Sequence, residues 1–289
     1  IHGGAGSLSK ESLSLEADSL YRNGLSEALN KGIEMLQNDA PGLDVVVEVI
    51  KLMESNPIFN AGRGSVLNNL GQVEMDASIM DGSTLDAGAV ASLQHIVHPI
   101  EAARLVMDSS KHVLLSSSPA EEFCLAYQLD SASNDYFLTD KALRALKRSQ
   151  ENSKKFGTVG VVVRDGKGHI SAGTSTGGMT NKRYGRIGDA PIIGAGTYAN
   201  DATCGVSCTG HGEMFIRLSV AHELSAILEH TDLTIQEAID IIIDKKLPSI
   251  EGKGGLIAID RNGKIAFGFN TRSMLRAFAT PSHSAIEIY

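Results

Sequence analysis

The sequence predicts one α/β domain in which mainly antiparallel sheets pack against outer helices. Three features carry that expectation. Helical periodicity recurs in the front and rear of the chain, the strands arrive in hairpin-connected pairs rather than in βαβ alternation, and no internal repeat divides the sequence. The 289 residues, 42% apolar and 21% charged, suffice for one well-buried core and are too apolar for a disordered chain.

The elements follow in order. From Ser12 to Gln37 the apolar residues Leu25, Ala28, Leu29, Ile33 and Leu36 recur at helical spacing, with Gly24 as a soft point. Pro41-Gly42 breaks that pattern, and Asp44 to Met53 resumes it with Val45, Val46, Val49 and Ile50. The turn-rich loop Glu54 to Gly64 leads into two strands, Gln72 to Met80 and Ala87 to Ile96, joined through Asp81-Gly82-Ser83. Pro99 to Met107 and Pro119 to Leu129 read as helices, the first with Pro near its start. From Ser131 to Phe156 the chain turns polar and basic, which suggests a solvated helix or a linker. The β-branched run Thr158 to Val163 pairs with Ile170 to Thr176 around Asp165-Gly166-Lys167-Gly168. Helices are expected at Gly212 to Glu229 and Thr234 to Lys246. A hairpin then pairs Leu256 to Asp260 with Lys264 to Phe269 around Arg261-Asn262-Gly263.

Charge and cysteine usage narrow the function. A net charge of −8 argues against a protein built to bind nucleic acid or an anionic membrane, and no apolar run reaches spanning length. Three Cys do not make a disulfide framework, which favours a reducing, cytoplasmic location. Cys204, Cys208 and His211 lack a fourth local ligand for zinc.

The first candidate chemistry comes from hairpin arithmetic. A turn centred on Lys167 places Thr158 directly across from Thr176, with Cβ atoms about 5 Å apart. Gly157 precedes Thr158, so an unshielded carbonyl lies beside a hydroxyl. Attack of that hydroxyl on the Gly157 carbonyl, followed by ester hydrolysis, frees Thr158 as an N-terminal residue. Its α-amine is then a general base attached to its own nucleophile. No G-x-S-x-G elbow offers an alternative route.

Other groups surround this pair in the sequence. Arg186 and Asp189, three apart in a glycine-rich turn, are either a surface ion pair or a clamp for a zwitterion, guanidinium to carboxylate and carboxylate to ammonium. Thr209-Gly210-His211-Gly212-Glu213 ends an apolar strand before a helix, which suits an oxyanion hole; His211 reads as a bystander. His2-Gly3-Gly4-Ala5-Gly6 lacks the residues of a phosphate loop and reads as a glycine-rich loop that lets backbone approach a site. Asn56 to Gly64 is either a plain turn or a ring of carbonyls able to hold a cation.

Together these segments resemble the plant-type (type III) L-asparaginase and isoaspartyl aminopeptidase family of N-terminal nucleophile (Ntn) hydrolases. The carrying segments are His2 to Gly6, Asn60 to Gly64, Glu74 to Gly82, Gly157 to Gly160, Thr174 to Lys182, Gly185 to Asp189 and Thr209 to Glu213, in family order over nearly the whole chain. The resemblance implies an αββα sandwich, a single Ntn-hydrolase domain over 1–289. It implies self-cleavage between Gly157 and Thr158 into residues 1–157 and 158–289, and association of two such αβ units into a dimer. Thr158 would be nucleophile and base, and Thr176 would tune its hydroxyl. Asn60 would lie beside it, with Thr209 and Gly210 as the oxyanion hole. Arg186, Ile187, Gly188 and Asp189, with Thr209, Gly210, His211 and Gly212, would line the substrate pocket. A structural sodium ion would be held by the carbonyls of Met53, Glu54, Asn56, Phe59, Ala61 and Arg63, with no catalytic cofactor.

The expected activity is hydrolysis of L-asparagine and of β-aspartyl dipeptides to L-aspartate. Alternatives on the same scaffold are a glycosylasparaginase, against which Thr174 to Lys182 and the three Cys count, and a threonine endoprotease, against which Asp189 argues. A non-enzymatic sensor would need no N-terminal nucleophile.

Overall fold

The computed structural model describes residues 1–11, 13–149 and 157–289. The larger of its two sheets is built from β1 (His2–Gly6), β2 (Met75–Asp81), β3 (Ala87–Leu93), β4 (Leu114–Ser116), β5 (Val159–Arg164), β6 (Ile170–Thr176), β11 (Ser273–Ala279) and β12 (Ser284–Glu287). Its strand order is β12-β11-β1-β5-β6-β2-β3-β4. The smaller sheet contains β7 (Thr197–Ala199), β8 (Cys204–Gly210), β9 (Gly254–Asp260) and β10 (Ile265–Phe269), in the order β10-β9-β8-β7. All neighbours run antiparallel except β3 and β4.

Helices cover both outer faces. α1 (Leu15–Gln37) packs on α2 (Gly42–Ser55), which lies over β5 and β6, while α3 (Pro99–Ser109) covers β2 and β3. On the smaller sheet, α8 (Val220–His230) lies over β7 and β8 and α9 (Ile235–Ile241) over β9 and β10. The layers are therefore helix, sheet, sheet, helix, the αββα sandwich that the resemblance implies.

Local chemistry explains most boundaries. Ser14 caps α1 by accepting from the Ala17 amide, and Glu16 and Asp18 occupy the first turn, where negative charge suits the helix dipole. Thr234 and Glu237 form a reciprocal capping box on α9. The β5–β6 turn is closed by Asp165, whose carboxylate accepts from the Lys167 and His169 amides at 2.9 and 3.0 Å and from Gly42 at the start of α2 at 3.3 Å. Pairing of Val159 with Ser175 and of Gly160 with Thr174 gives the register expected from a turn centred on Lys167.

Strand alternation then sorts the faces. Val159, Val161 and Val163 join the core under α1 and α2, whereas Val162 joins Ala172, Ile170, Ala5 and Ile257 between the sheets. Thr158 shares the parity of Gly160 and Val162, so the hairpin puts it and Thr176 on the inter-sheet side. β6 is buried along its whole length, and a Cβ at Gly173 would stand 2.6 Å from Val46 Cγ1, so close approach of α2 requires glycine there.

Several expectations are corrected. The run His2 to Gly6 is a strand, not a loop, pairing with β11 along one side and with β5 at Gly160. The helix expected from Gly212 to Glu229 is two, α7 (Gly212–Leu218) and α8, because Ser219 adopts a left-handed conformation (φ +48°). Thr234 to Lys246 changes from α9 into a π turn over Ile242–Lys246 before the short α10 (Leu247–Ser249). α4 (Ser117–Ala126) starts earlier and ends sooner than the segment from Pro119 to Leu129. The basic stretch contains α5 (Asn134–Phe137) and α6 (Asp140–Ser149), and its remainder to Phe156 lies outside the described residues, as does the Ser12 end of the first helix.

Candidate active site

Thr158 immediately precedes β5 and is buried, its hydroxyl donating to Thr176 Oγ1 at 3.2 Å. The Thr176 hydroxyl donates to the Gly157 carbonyl at 2.8 Å and accepts from the Gly178 amide at 3.0 Å. With the bond from Thr158, its one proton and two lone pairs are all used. Asn60 closes the other side. Its Nδ2 donates to the Gly157 and Gly178 carbonyls at 2.7 and 2.8 Å, and its Oδ1 accepts from Val66 N at 2.8 Å, which fixes the amide's orientation. The Gly157 carbonyl oxygen thus lies under two donors beside the Thr158 hydroxyl, an arrangement able to stabilise negative charge developing on that oxygen.

β1 supplies the floor. Gly4 has φ +111°, and a Cβ there would meet Gly157 Cα and Thr158 N, each at 3.1 Å, so only glycine permits the approach. The next residue, Ala5, donates its amide to Thr209 Oγ1 at 3.1 Å, fixing a fully buried hydroxyl and leaving its proton to give. Gly210 follows with φ +155°, packed against the Lys253 carbonyl and Gly254.

Sequence reasoning missed His2. Its ring is buried under Ser207, with Nε2 and Ser207 Oγ 3.0 Å apart, and a hydroxyl chain continues through Thr174, Thr197 and Ser78 at 2.7, 2.6 and 2.8 Å. Burial lowers the imidazole to a pKa of about 3, so it is neutral at physiological pH, and its interaction with the Thr158 backbone opposes that shift. The chain stitches the two sheets together close to Thr158. No local spacing announces it, because its members come from β1, β2, β6, β7 and β8.

The charged half of the site also differs from the simplest reading of its spacing. Arg186 does not pair with Asp189. Its Nε and Nη2 form a fork with the Glu213 carboxylate at 2.9 and 2.8 Å, which leaves the Nη1–Nη2 edge open. Glu213 is held at a pKa of about 2, first by that hydrogen bond, and His211 Nε2 lies 3.3 Å from the same carboxylate. Asp189 is buried with Oδ2 unpartnered, and desolvation raises its pKa to about 7. Gly212 sits where they converge: a Cβ on it would be 2.7 Å from Asp189 Oδ1 and 2.9 Å from Arg186 Nη2. Gly188 lies against Arg186 Nη1, and Ile187 between them is exposed. Below them, Lys182 is buried with Nζ donating to the Glu74 carbonyl at 2.5 Å. Asp76 is buried too, with Oδ1 accepting from Ser92 N at 2.9 Å and Oδ2 unpartnered.

The loop from Met53 to Arg63 concentrates backbone oxygens. A Cβ at Gly62 would fall 2.6 Å from the Glu54 carbonyl and one at Gly64 2.0 Å from that of Phe59. The carbonyls of Met53, Asn56 and Ala61 each accept one amide. An all-carbonyl set of neutral oxygens fits a hard cation better than a transition metal. Among the described residues no group of three or more His, Cys, Asp or Glu is placed to hold a metal. The three cysteines are buried and unpaired, with burial pushing the Cys204 thiol to about 12.

The sequence pattern of the asparaginase family matches residues 1–287. The isoaspartyl peptidase of Salmonella typhimurium is 44% identical over 96% of this chain and 93% of its own length. The probable isoaspartyl peptidase/L-asparaginase 2 of Arabidopsis thaliana is 43% identical over 97% and 94%. The human isoaspartyl peptidase/L-asparaginase is 36% identical over 95% and 90%. The family pattern spans residues 1–287 and relatives at 36–44% identity cover nearly the whole chain, so the chain belongs to the asparaginase family, the plant-type branch of isoaspartyl peptidases and L-asparaginases.

Proposed function

We propose that the protein is an autoprocessed threonine amidohydrolase that cleaves the side-chain amide of L-asparagine and of β-aspartyl dipeptides, releasing L-aspartate from each. The observation that carries this reading is the Gly157 carbonyl under Asn60 Nδ2 and Thr176 Oγ1, beside the Thr158 hydroxyl.

Maturation comes first. Thr158 Oγ attacks the Gly157 carbonyl carbon while its proton passes to Thr176, whose own proton moves to the developing alkoxide. The carbon–nitrogen bond then breaks, the nitrogen taking a proton, and an ester joins Gly157 to the Thr158 hydroxyl. Water hydrolyses that ester, giving residues 1–157 and 158–289 with a free α-amine on Thr158.

Catalysis repeats the chemistry on a bound amide. The freed amine, with an ordinary pKa of about 8, takes the proton of Thr158 Oγ as the latter attacks the substrate's β-carbonyl. Thr209 and Gly210 hold the oxyanion, and the proton is passed to the departing nitrogen. Water then cleaves the β-aspartyl ester. The open edge of Arg186 takes the α-carboxylate, with Glu213 as the positioning residue that aims it, and Asp189 takes the α-ammonium. The unpartnered Asp189 oxygen supports a free amino-acid end as ligand rather than an internal stretch of protein chain. The same reading assigns sodium to the Met53–Arg63 carbonyls, where it would stabilise the loop carrying Asn60 and take no part in the reaction. It extends to a dimer of αβ units and a cytoplasmic location; no helix among the described residues is long and apolar enough to cross a membrane.

N-terminal sequencing of the ripened protein tests the reading. The expected result is a second N-terminus at Thr158; active protein with Gly157 still joined to Thr158 would overturn the mechanism.

A further inference from the structure

A cavity of about 450 Å³, a size suited to small-molecule ligands, opens beside the nucleophile. It reaches Gly4, Asn60, Gly157 and Gly210, while Arg186, Asp189 and Gly212 are not in its wall. The cavity thus meets the Gly157 carbonyl without including the clamp residues. On the amidohydrolase reading, a substrate whose aspartyl end is held by the clamp has its departing nitrogen and what lies beyond it left to occupy this space.

The charge of the wall is one-sided. Among the described residues four charged side chains line it, Lys141, Arg148, Lys253 and Arg272, and all are cationic, in a chain where acids outnumber bases 34 to 26. Glu11 lies within electrostatic reach of Arg272 but does not line the cavity. Lys141 already donates to the Pro57 and Ile58 carbonyls. Lys253 and Arg272 are both exposed and both follow the cut site, so they stay in the polypeptide that carries Thr158. Their turns are tied together: Asn270 accepts from Gly254 N at 2.9 Å and donates to Gly252 O at 3.0 Å. The Lys253 carbonyl accepts from His211 N at 2.9 Å, which seats Lys253 next to the oxyanion turn.

We propose that this cavity receives the departing residue of a β-aspartyl peptide, and that Lys253 and Arg272 select departing residues rich in negative charge. The proposal rests on the amidohydrolase reading and deepens it. When Thr158 Oγ bonds to the β-carbonyl, the carbon–nitrogen bond breaks and the nitrogen leaves with the proton passed from the Thr158 amine. The group that leaves a dipeptide bears an α-carboxylate a few bonds from that nitrogen, and an acidic side chain adds a second anion. Ammonia leaving L-asparagine presents neither. The order of kcat/KM is then β-aspartyl-glutamate above β-aspartyl-lysine, with L-asparagine last.

The test is kcat/KM for these three substrates in the ripened wild type and in a Lys253→Glu/Arg272→Glu double variant. Exposed charge pairs each change affinity a few-fold, so the glutamate-to-lysine ratio is expected at about tenfold in the wild type and inverted in the variant. A ratio equal within about twofold in both proteins overturns the proposal. If the double variant does not fold, ionic strength decides with the wild type alone: about 0.5 M NaCl should collapse the ratio toward one, and a ratio indifferent to salt overturns the selection. Turnover of all three substrates without charge preference sinks only this inference, whereas absence of turnover on any of them sinks the amidohydrolase reading beneath it.

Discussion

The two halves of the active site are built on opposite principles. Around Thr158 the groups are neutral and engaged: Thr176 uses its whole hydrogen-bonding capacity, Asn60 is held at both ends, and Thr209 is locked to β1. Around Asp189 the groups are ionisable, buried and incompletely satisfied, with Asp189 Oδ2 and Asp76 Oδ2 lacking partners and Arg186 Nη1 making no hydrogen bond among the described residues. Neutral groups can be preorganised without a ligand, because each finds its partner within the protein. Buried charges without partners are costly, and a site that pays that cost is poised for a ligand carrying the complementary charges. On the proposed reading, the first half is complete without a ligand, and the second is completed by the zwitterion that enters it.

Substitutions on each side should therefore fail differently. The largest effect is expected for Thr158→Ala, which should remain one piece by intact mass and lose at least about 10⁴-fold in asparagine turnover, since nucleophile and base vanish together. Next comes Asn60→Ala. Loss of one donor to the Gly157 oxygen should slow the appearance of the Thr158 N-terminus by about 10²–10³-fold, followed as the half-life of the uncut chain on a denaturing gel. A rate within threefold of wild type would mean that Thr176 alone holds the oxygen.

The clamp should respond in binding rather than in ripening. Arg186→Lys keeps the charge but loses the fork to Glu213 and the open planar edge, so KM for L-asparagine should rise by about 10–100-fold with cleavage at Gly157 intact. Equal damage to ripening and to KM would erase the distinction between the two halves.

The smallest effect concerns protons. The Asp189 carboxyl is raised to about 7 by burial, so between about pH 4 and 7 the folded protein holds a proton that the unfolded chain has released. Its contribution to stability therefore declines as pH rises through that window. An ammonium seated on Asp189 favours the carboxylate, so binding of L-aspartate near pH 6 should expel close to one proton, seen as a binding heat that varies with the buffer's ionisation enthalpy. In Asp189→Asn that buffer dependence should disappear.

Several of these features were legible in one dimension. The Thr158–Thr176 pairing followed from a tight turn and the two-residue period of strands, both local properties, and Gly157 marked the bond proposed to be cut. β1 was not legible as a strand, because a run of glycines carries no alternation and its partners β11 and β5 lie far along the chain. β12 was missed for a related reason: four half-exposed residues at the sheet edge give little pattern to read. Ser219 hid the division between α7 and α8, since a single left-handed residue leaves helical spacing almost undisturbed.

By itself, then, the sequence determined the register that brings Thr176 opposite Thr158 and picked out the candidate nucleophile, the carbonyl beside it and the residues proposed to bind a zwitterion. All of these depend on neighbours within one hairpin or one turn. Only the tertiary structure decided that Arg186 docks on Glu213 rather than Asp189, that His2 anchors a hydroxyl chain across two sheets, and that Lys141, Arg148, Lys253 and Arg272 line one cavity beside Gly157. Each of those joins residues from elements distant in the chain, and burial and charge pairing at such contacts exist only once the layers have closed.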